Sequence, residues 1–111
     1  MAEFVRVARS NEIPRGQGRM FAVNGRQVAV FNADGEFHAI DNRCEHQGGP
    51  LAEGELDGCV VTCPWHGWTY DVSSGQSPDD PEARVERFAV KIEGGEVFVA
   101  VPDTSQAPGR A

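Results

Sequence analysis

With 111 residues, 40% of them hydrophobic, the chain can bury one core and is close to the commonest size of a single domain. A net charge of −7, from 17 acidic and 10 basic residues, argues against nucleic acid, whose phosphates need a basic surface, and suits equally transient docking on basic proteins or simply keeping a small protein soluble. No run approaches the ~20 apolar residues of a membrane-spanning helix. The residues after Met1 also lack the basic start and apolar stretch of a secretion signal, so a cytoplasmic protein is expected, and it is taken to be a monomer.

Apolar–polar alternation over residues 4–8 predicts a first strand. Residues 13–19, which contain Pro14, Gly16 and Gly18, read as a connection. Three runs of β-forming residues follow, at 20–23, 27–31 and 36–40. Asn24-Gly25 and Asn32-Ala33-Asp34-Gly35 separate them as hairpin signals, predicting a meander that leads into residues 42–43. Residues 54–58 lead into a strand at 59–62, and a short strand at 68–71 is closed by Ser73-Ser74-Gly75. A last hairpin pairs 85–92 with 96–101 across Glu93-Gly94-Gly95. Residues 102–111 lack apolar periodicity and are expected to be a mobile tail. Many short strands, regular turn signals and no long helix make the fold class all-β, an antiparallel sandwich or barrel forming one domain over 1–101.

Two segments carry the chemistry: Cys44-Glu45-His46 and, after 16 intervening residues, Cys63-Pro64-Trp65-His66. Each offers one thiolate and one imidazole from a tight turn, a mixed set that binds iron or zinc. A zinc site that only holds loops together is one reading, since zinc accepts the same four ligands. Zinc fingers, however, usually keep the two Cys on one turn and the two His on another. One of each per loop suits a two-iron cluster, in which one iron takes both Cys and the other both His. A Cys44–Cys63 disulfide is disfavoured in a chain without a secretion signal.

Read with their flanks, Cys44-Glu45-His46-Gln47-Gly48-Gly49 and Cys63-Pro64-Trp65-His66-Gly67-Trp68, these segments make the chain resemble the Rieske [2Fe–2S] proteins, from about Glu3 to Val101. The resemblance implies the Rieske fold, a larger β base with a small inserted cluster-binding subdomain at about residues 42–82. It implies one [2Fe–2S] cluster held by Cys44, His46, Cys63 and His66. Gly48, Gly49 and Gly67 follow the ligand turns, where backbone approaches the cluster, and Pro64 fixes φ in the second loop. Trp65 and Trp68 flank His66, and Tyr70 keeps the family's tyrosine position. Pro81, within Ser77-Pro78-Asp79-Asp80-Pro81, is the preferred proline of the loop that covers the cluster.

Two neutral His in place of thiolates raise the potential into a window of roughly −150 to +300 mV. High-potential respiratory members of the family add a cysteine to each ligand loop, the two joined as a disulfide, and a serine two residues after the second His. Here Gly49, Trp65 and Trp68 stand at those places, which implies a potential near the low end, as in the soluble ferredoxins that feed oxygenases. The implied function is a one-electron carrier between a flavin-dependent reductase and a terminal aromatic-ring oxygenase, both docking at the cluster tip. An oxygenase would need a further iron held by two His and a carboxylate; the chain has 3 His, and the cluster leaves only His38, so an enzyme is not expected. The small Rieske-like subunit of an NAD(P)H-dependent nitrite reductase is the alternative, followed by the zinc module. Cys59, sharing a strand face with Val61, and His38 read as structural. Asp41, Glu45, Glu53, Glu55 and Asp57 are candidates for a docking rim.

Overall fold

The computed structural model describes residues 4–23, 25–42, 50–64, 67–78 and 84–101. Among these the chain forms β1 (Phe4–Arg9), β2 (Gly18–Val23), β3 (Arg26–Ala33), β4 (Glu36–Asp41), β5 (Glu55–Asp57), β6 (Val60–Thr62), β7 (Thr69–Asp71), β8 (Arg87–Glu93) and β9 (Glu96–Ala100). Short 3-10 turns lie at Ser10–Glu12 and Leu51–Glu53. Two-residue turns set the register of the hairpins. β3 and β4 meet at the pair Ala33↔Glu36, and Asp34 (φ 55) and Gly35 (φ 97) between them adopt the positive φ that a type I′ turn requires. β8 and β9 close in the same way at Glu93↔Glu96 across Gly94-Gly95, so Glu93 belongs to the strand rather than to the turn.

The strands build a six-stranded antiparallel near-barrel sheet in the order β1-β9-β8-β4-β3-β2, and a three-stranded antiparallel sheet in the order β5-β6-β7. The fold is all-β, with the expected large base and small second sheet. Several boundaries move. β2 starts at Gly18, because Gly18 and Arg19 already pair with Phe31 and Val30. The stretch 54–58 contains the strand β5, and Cys59 sits in the turn before β6. The tail at 102–111 lies outside the described residues. No helix among the described residues is long and apolar enough to cross a membrane.

Two apolar clusters flank β3. On one face Val28 and Val30 pack with Val23, Ala39, Phe88, Val97 and Val99. On the other, Ala29, Phe31 and Ala33 pack with Ile40, Leu51, Val61, Tyr70, Val72 and Cys63. A strand covered on both faces reads as a continuous apolar run rather than an alternation, as residues 28–31 do. The second cluster joins the two sheets, so the small sheet is held on the base by buried side chains. Each fully buried aliphatic or aromatic side chain there contributes roughly 1.5–3 kcal/mol.

Candidate metal centre

The second ligand segment is the loop of the β6–β7 hairpin, whose last strand pair is Thr62↔Thr69. Two backbone hydrogen bonds close it: the Cys63 N–H donates to the Trp68 carbonyl at 2.6 Å, and the Gly67 N–H donates to the Cys63 carbonyl at 3.0 Å. Both main-chain polar groups of Cys63 are therefore engaged in holding the loop, and its side chain is 1% exposed within the inter-sheet cluster. Gly67 has φ +75, a conformation that costs an ordinary residue about 1–2 kcal/mol, although a Cβ there would meet nothing within 4 Å among the described residues. Glycine is needed here for backbone conformation. Trp68 is half-buried against the same cluster, Tyr70 is fully buried, and Pro64 is exposed.

The first ligand segment follows β4 of the large sheet in the chain, where the predicted meander leads. Asn42 ends the described chain before this segment. Its carbonyl accepts from the Leu51 N–H at 2.7 Å, and its Oδ1 accepts from the Ala52 N–H at 2.8 Å. Farther along, Gly75 accepts from the Val85 N–H at 2.7 Å, and Gln76 bridges Arg84, closing the base of the proline-containing segment. Arg26 on β3 joins the two regions: its guanidinium lies 3.1 Å from Asp41 Oδ2 and 2.7 Å from Glu86 Oε1, and 5.0 Å from the centre of the Phe88 ring. Burial alone would lower the Arg26 pKa; the two carboxylates outweigh it and raise the pKa.

Of the four expected ligands, the described residues contain Cys63. Cys44, His46 and His66 lie outside them, as do Gly48, Gly49, Trp65, Pro81 and Glu45. A buried thiol on a backbone-closed hairpin loop, in a chain whose other ligand candidates are one Cys and two His, fits a soft transition-metal centre. When bound, a two-iron, two-sulfide cluster takes up and releases one electron at a time. The remaining candidates stand apart from this chemistry. Burial pushes the Cys59 thiol up, with Asp71 and Glu36 adding to the effect, so it holds little thiolate. His38 has a buried Nε2 without a hydrogen-bond partner among the described residues, 3.6 Å from Glu36 Oε1. Glu53, Glu55 and Asp57 are exposed, in keeping with a rim position. Sequence reasoning missed two residues, Asn42 and Gly54. A Cβ at Gly54 would fall on the Thr62 carbonyl oxygen, one residue before Cys63. Their only sequence signal was that both are turn formers.

The structure thus sets Cys63 on a buried, backbone-closed hairpin loop of an all-β domain, and comparison with known proteins specifies which kind of domain this is. The Rieske [2Fe-2S] domain profile matches residues 3–100, and the chain belongs to that family. It is 34% identical over 89 residues to the ferredoxin component of the naphthalene 1,2-dioxygenase system of Pseudomonas aeruginosa, covering 79% of this chain and 86% of that protein. It is 36% identical over 94 residues to apoptosis-inducing factor 3 of Homo sapiens, covering 84% of this chain but 16% of that much longer protein. Among solved structures, the ferredoxin of carbazole 1,9a-dioxygenase from Nocardioides aromaticivorans IC177 superposes with a TM-score of 0.84 at 28% identity, over 89% of this chain and 98% of that one. A chain in the complex of reduced oxygenase and oxidized ferredoxin of carbazole 1,9a-dioxygenase gives a TM-score of 0.80 at 32% identity, over 86% and 100%. The chain thus carries a Rieske [2Fe-2S] domain over nearly all of its length and is similar to the ferredoxin components of oxygenase systems.

Proposed function

We propose that this protein is the ferredoxin component of an aromatic-ring oxygenase system, carrying single electrons from a flavin-dependent reductase to the terminal oxygenase. The observation that carries this reading is the near end-to-end match to ferredoxin components, 86% of one such protein and 98% of another, where the larger human relative shares only a domain. The solved complex of an oxygenase with its ferredoxin supports a terminal oxygenase as one partner. Cys44 and Cys63 hold one iron and His46 and His66 the other. The residues do not perform the oxygenation; they hold a carrier whose potential is tuned by what surrounds it. With Gly49, Trp65 and Trp68 at the positions discussed above, that potential lies toward the low end of the roughly −150 to +300 mV range.

The test is visible absorption and reduced-state EPR of the purified protein, followed by reconstitution. The expected protein is red-brown, with an average g value below that of an all-cysteine centre. Single replacements Cys44→Ser, His46→Ala, Cys63→Ser and His66→Ala each abolish that spectrum. Added to a flavin reductase and a ring-hydroxylating oxygenase, it restores NAD(P)H-dependent substrate oxidation. A colourless protein with stoichiometric zinc overturns the cluster reading. A coloured protein that serves only a nitrite reductase large subunit overturns the oxygenase reading.

A further inference from the structure

Asn42 is a polar residue only 3% exposed, two positions before Cys44 in the chain. Its main chain makes two hydrogen bonds, donating to the Gln27 carbonyl of β3 at 3.0 Å and accepting from the Leu51 N–H at 2.7 Å. Its side chain makes two more. Oδ1 accepts from the Ala52 N–H at 2.8 Å, and Nδ2 donates to Gln27 Oε1 at 3.3 Å. Leu51 and Ala52, 0% and 8% exposed, pack in the same cluster as Cys63. The chain therefore leaves for the first ligand segment and returns from it at one buried point.

We propose that Asn42 is a positioning residue for the cluster, its amide joining the two ends of the segment that carries Cys44 and His46 and tying them to β3. The inference rests on the ligand assignment proposed above. A single main-chain bond between Asn42 and Leu51 would leave the two chain ends free to rotate against each other. The second bond, from Ala52 to the side chain, removes that freedom. An amide suits the position because it accepts with one atom and donates with the other, which no apolar side chain can do. Without it the buried Ala52 N–H loses its partner, which costs more than the bond itself was worth in the folded state.

The holo protein carrying Asn42→Ala tests this against Asn42→Asp and against Val97→Ala. The aspartate keeps an acceptor for Ala52, and the Gln27 amide can rotate to donate to it. Val97 is fully buried in the opposite cluster, so its truncation lowers stability without touching the loop. Three quantities are read: the rate at which a chelator bleaches the visible absorption, the reduced-state EPR spectrum, and the melting temperature. Asn42→Ala should bleach roughly 10-fold faster, the scale typical for losing the outer support of a metal ligand, and broaden the EPR lines. Asn42→Asp should return both close to wild type, and Val97→Ala should melt lower with an unchanged EPR spectrum. Bleaching and EPR of Asn42→Ala that match wild type, or that match Val97→Ala, overturn the proposal. In the unaltered holo protein the Leu51 and Ala52 amides should resist hydrogen exchange as strongly as those of β3. Exchange at the rate of an open loop overturns the proposal even where Asn42→Ala does not fold. If Cys44→Ser retains the spectrum, the ligand assignment itself fails, and that outcome is separate from the others.

Discussion

Gly54→Ala puts one methyl group into the tightest backbone contact near the second ligand loop. Gly54 has φ −78, which any residue adopts, so the obstacle is space alone. The new Cβ would fall on the Thr62 carbonyl oxygen and lie 3.0 Å from its carbon and 3.1 Å from Val61 Cγ2. Backbone cannot rotate out of the way as a flexible side chain would, because Thr62 is paired with Glu55 on one side and Thr69 on the other. The turn at Leu51–Glu53 or strand β6 must therefore shift on the order of 1 Å to restore van der Waals separation. Overpacking of this kind costs roughly 1–3 kcal/mol, and a strained strand hydrogen bond adds about 1 kcal/mol. A total of about 3 kcal/mol lowers the melting temperature of a domain this size by roughly 12–24 °C. Gly58→Ala is the matched control: its φ is +64 and its Cβ would meet nothing within 4 Å among the described residues. The conformational strain there costs about 1 kcal/mol, or roughly 4–8 °C. Thermal unfolding by far-UV circular dichroism compares the two, with visible absorption reporting the cluster. Because Thr62 precedes Cys63, Gly54→Ala should also lose its cluster first. Gly54→Ala melting within a few degrees of wild type, or Gly58→Ala falling further, refutes the reasoning.

Gly67→Ala strains the residue after His66 by about 1 kcal/mol and should lower the iron content per chain, with Gly67→Asn milder; equal iron in all three proteins contradicts a conformational role. Arg26→Met should lower stability to urea by about 2 kcal/mol, since it strips partners from Asp41, whose side chain is 23% exposed, while Glu86, at 46%, is partly screened by water. An unchanged urea midpoint would remove Arg26 as the tie between β3 and the segment after Arg84. The raised Cys59 pKa means the thiol stays protonated above its ordinary range, so iodoacetamide labelling should be slow at pH 8 and rise only at higher pH. Labelling at pH 8 as fast as free cysteine would show that burial does not protect it.

The residues proposed to carry the chemistry are read from signals that are local. The order Cys-x-His then Cys-x-x-His needs only a few consecutive positions to be read, and Asp34-Gly35 or Gly94-Gly95 need only two. The apolar run in β3 likewise announced a strand, and burial on both faces explains why it does not alternate. β5 escaped notice because three residues carry too little pattern; pairing with β6 makes it a strand. Asn42 and Gly54 escaped for a related reason. Before folding, Asn42 is one turn former among many. Its importance comes from Gln27, Leu51 and Ala52, which lie 15, 9 and 10 positions away and meet it only when β3 and the 3-10 turn pack together. The sequence by itself thus determined the all-β class and supplies the proposed ligand set, since strand propensity and donor chemistry reside in short segments. Tertiary structure alone decided that Asn42 ties Leu51 and Ala52 to β3, and where a single methyl group has no room, because those depend on contacts between segments distant in the chain.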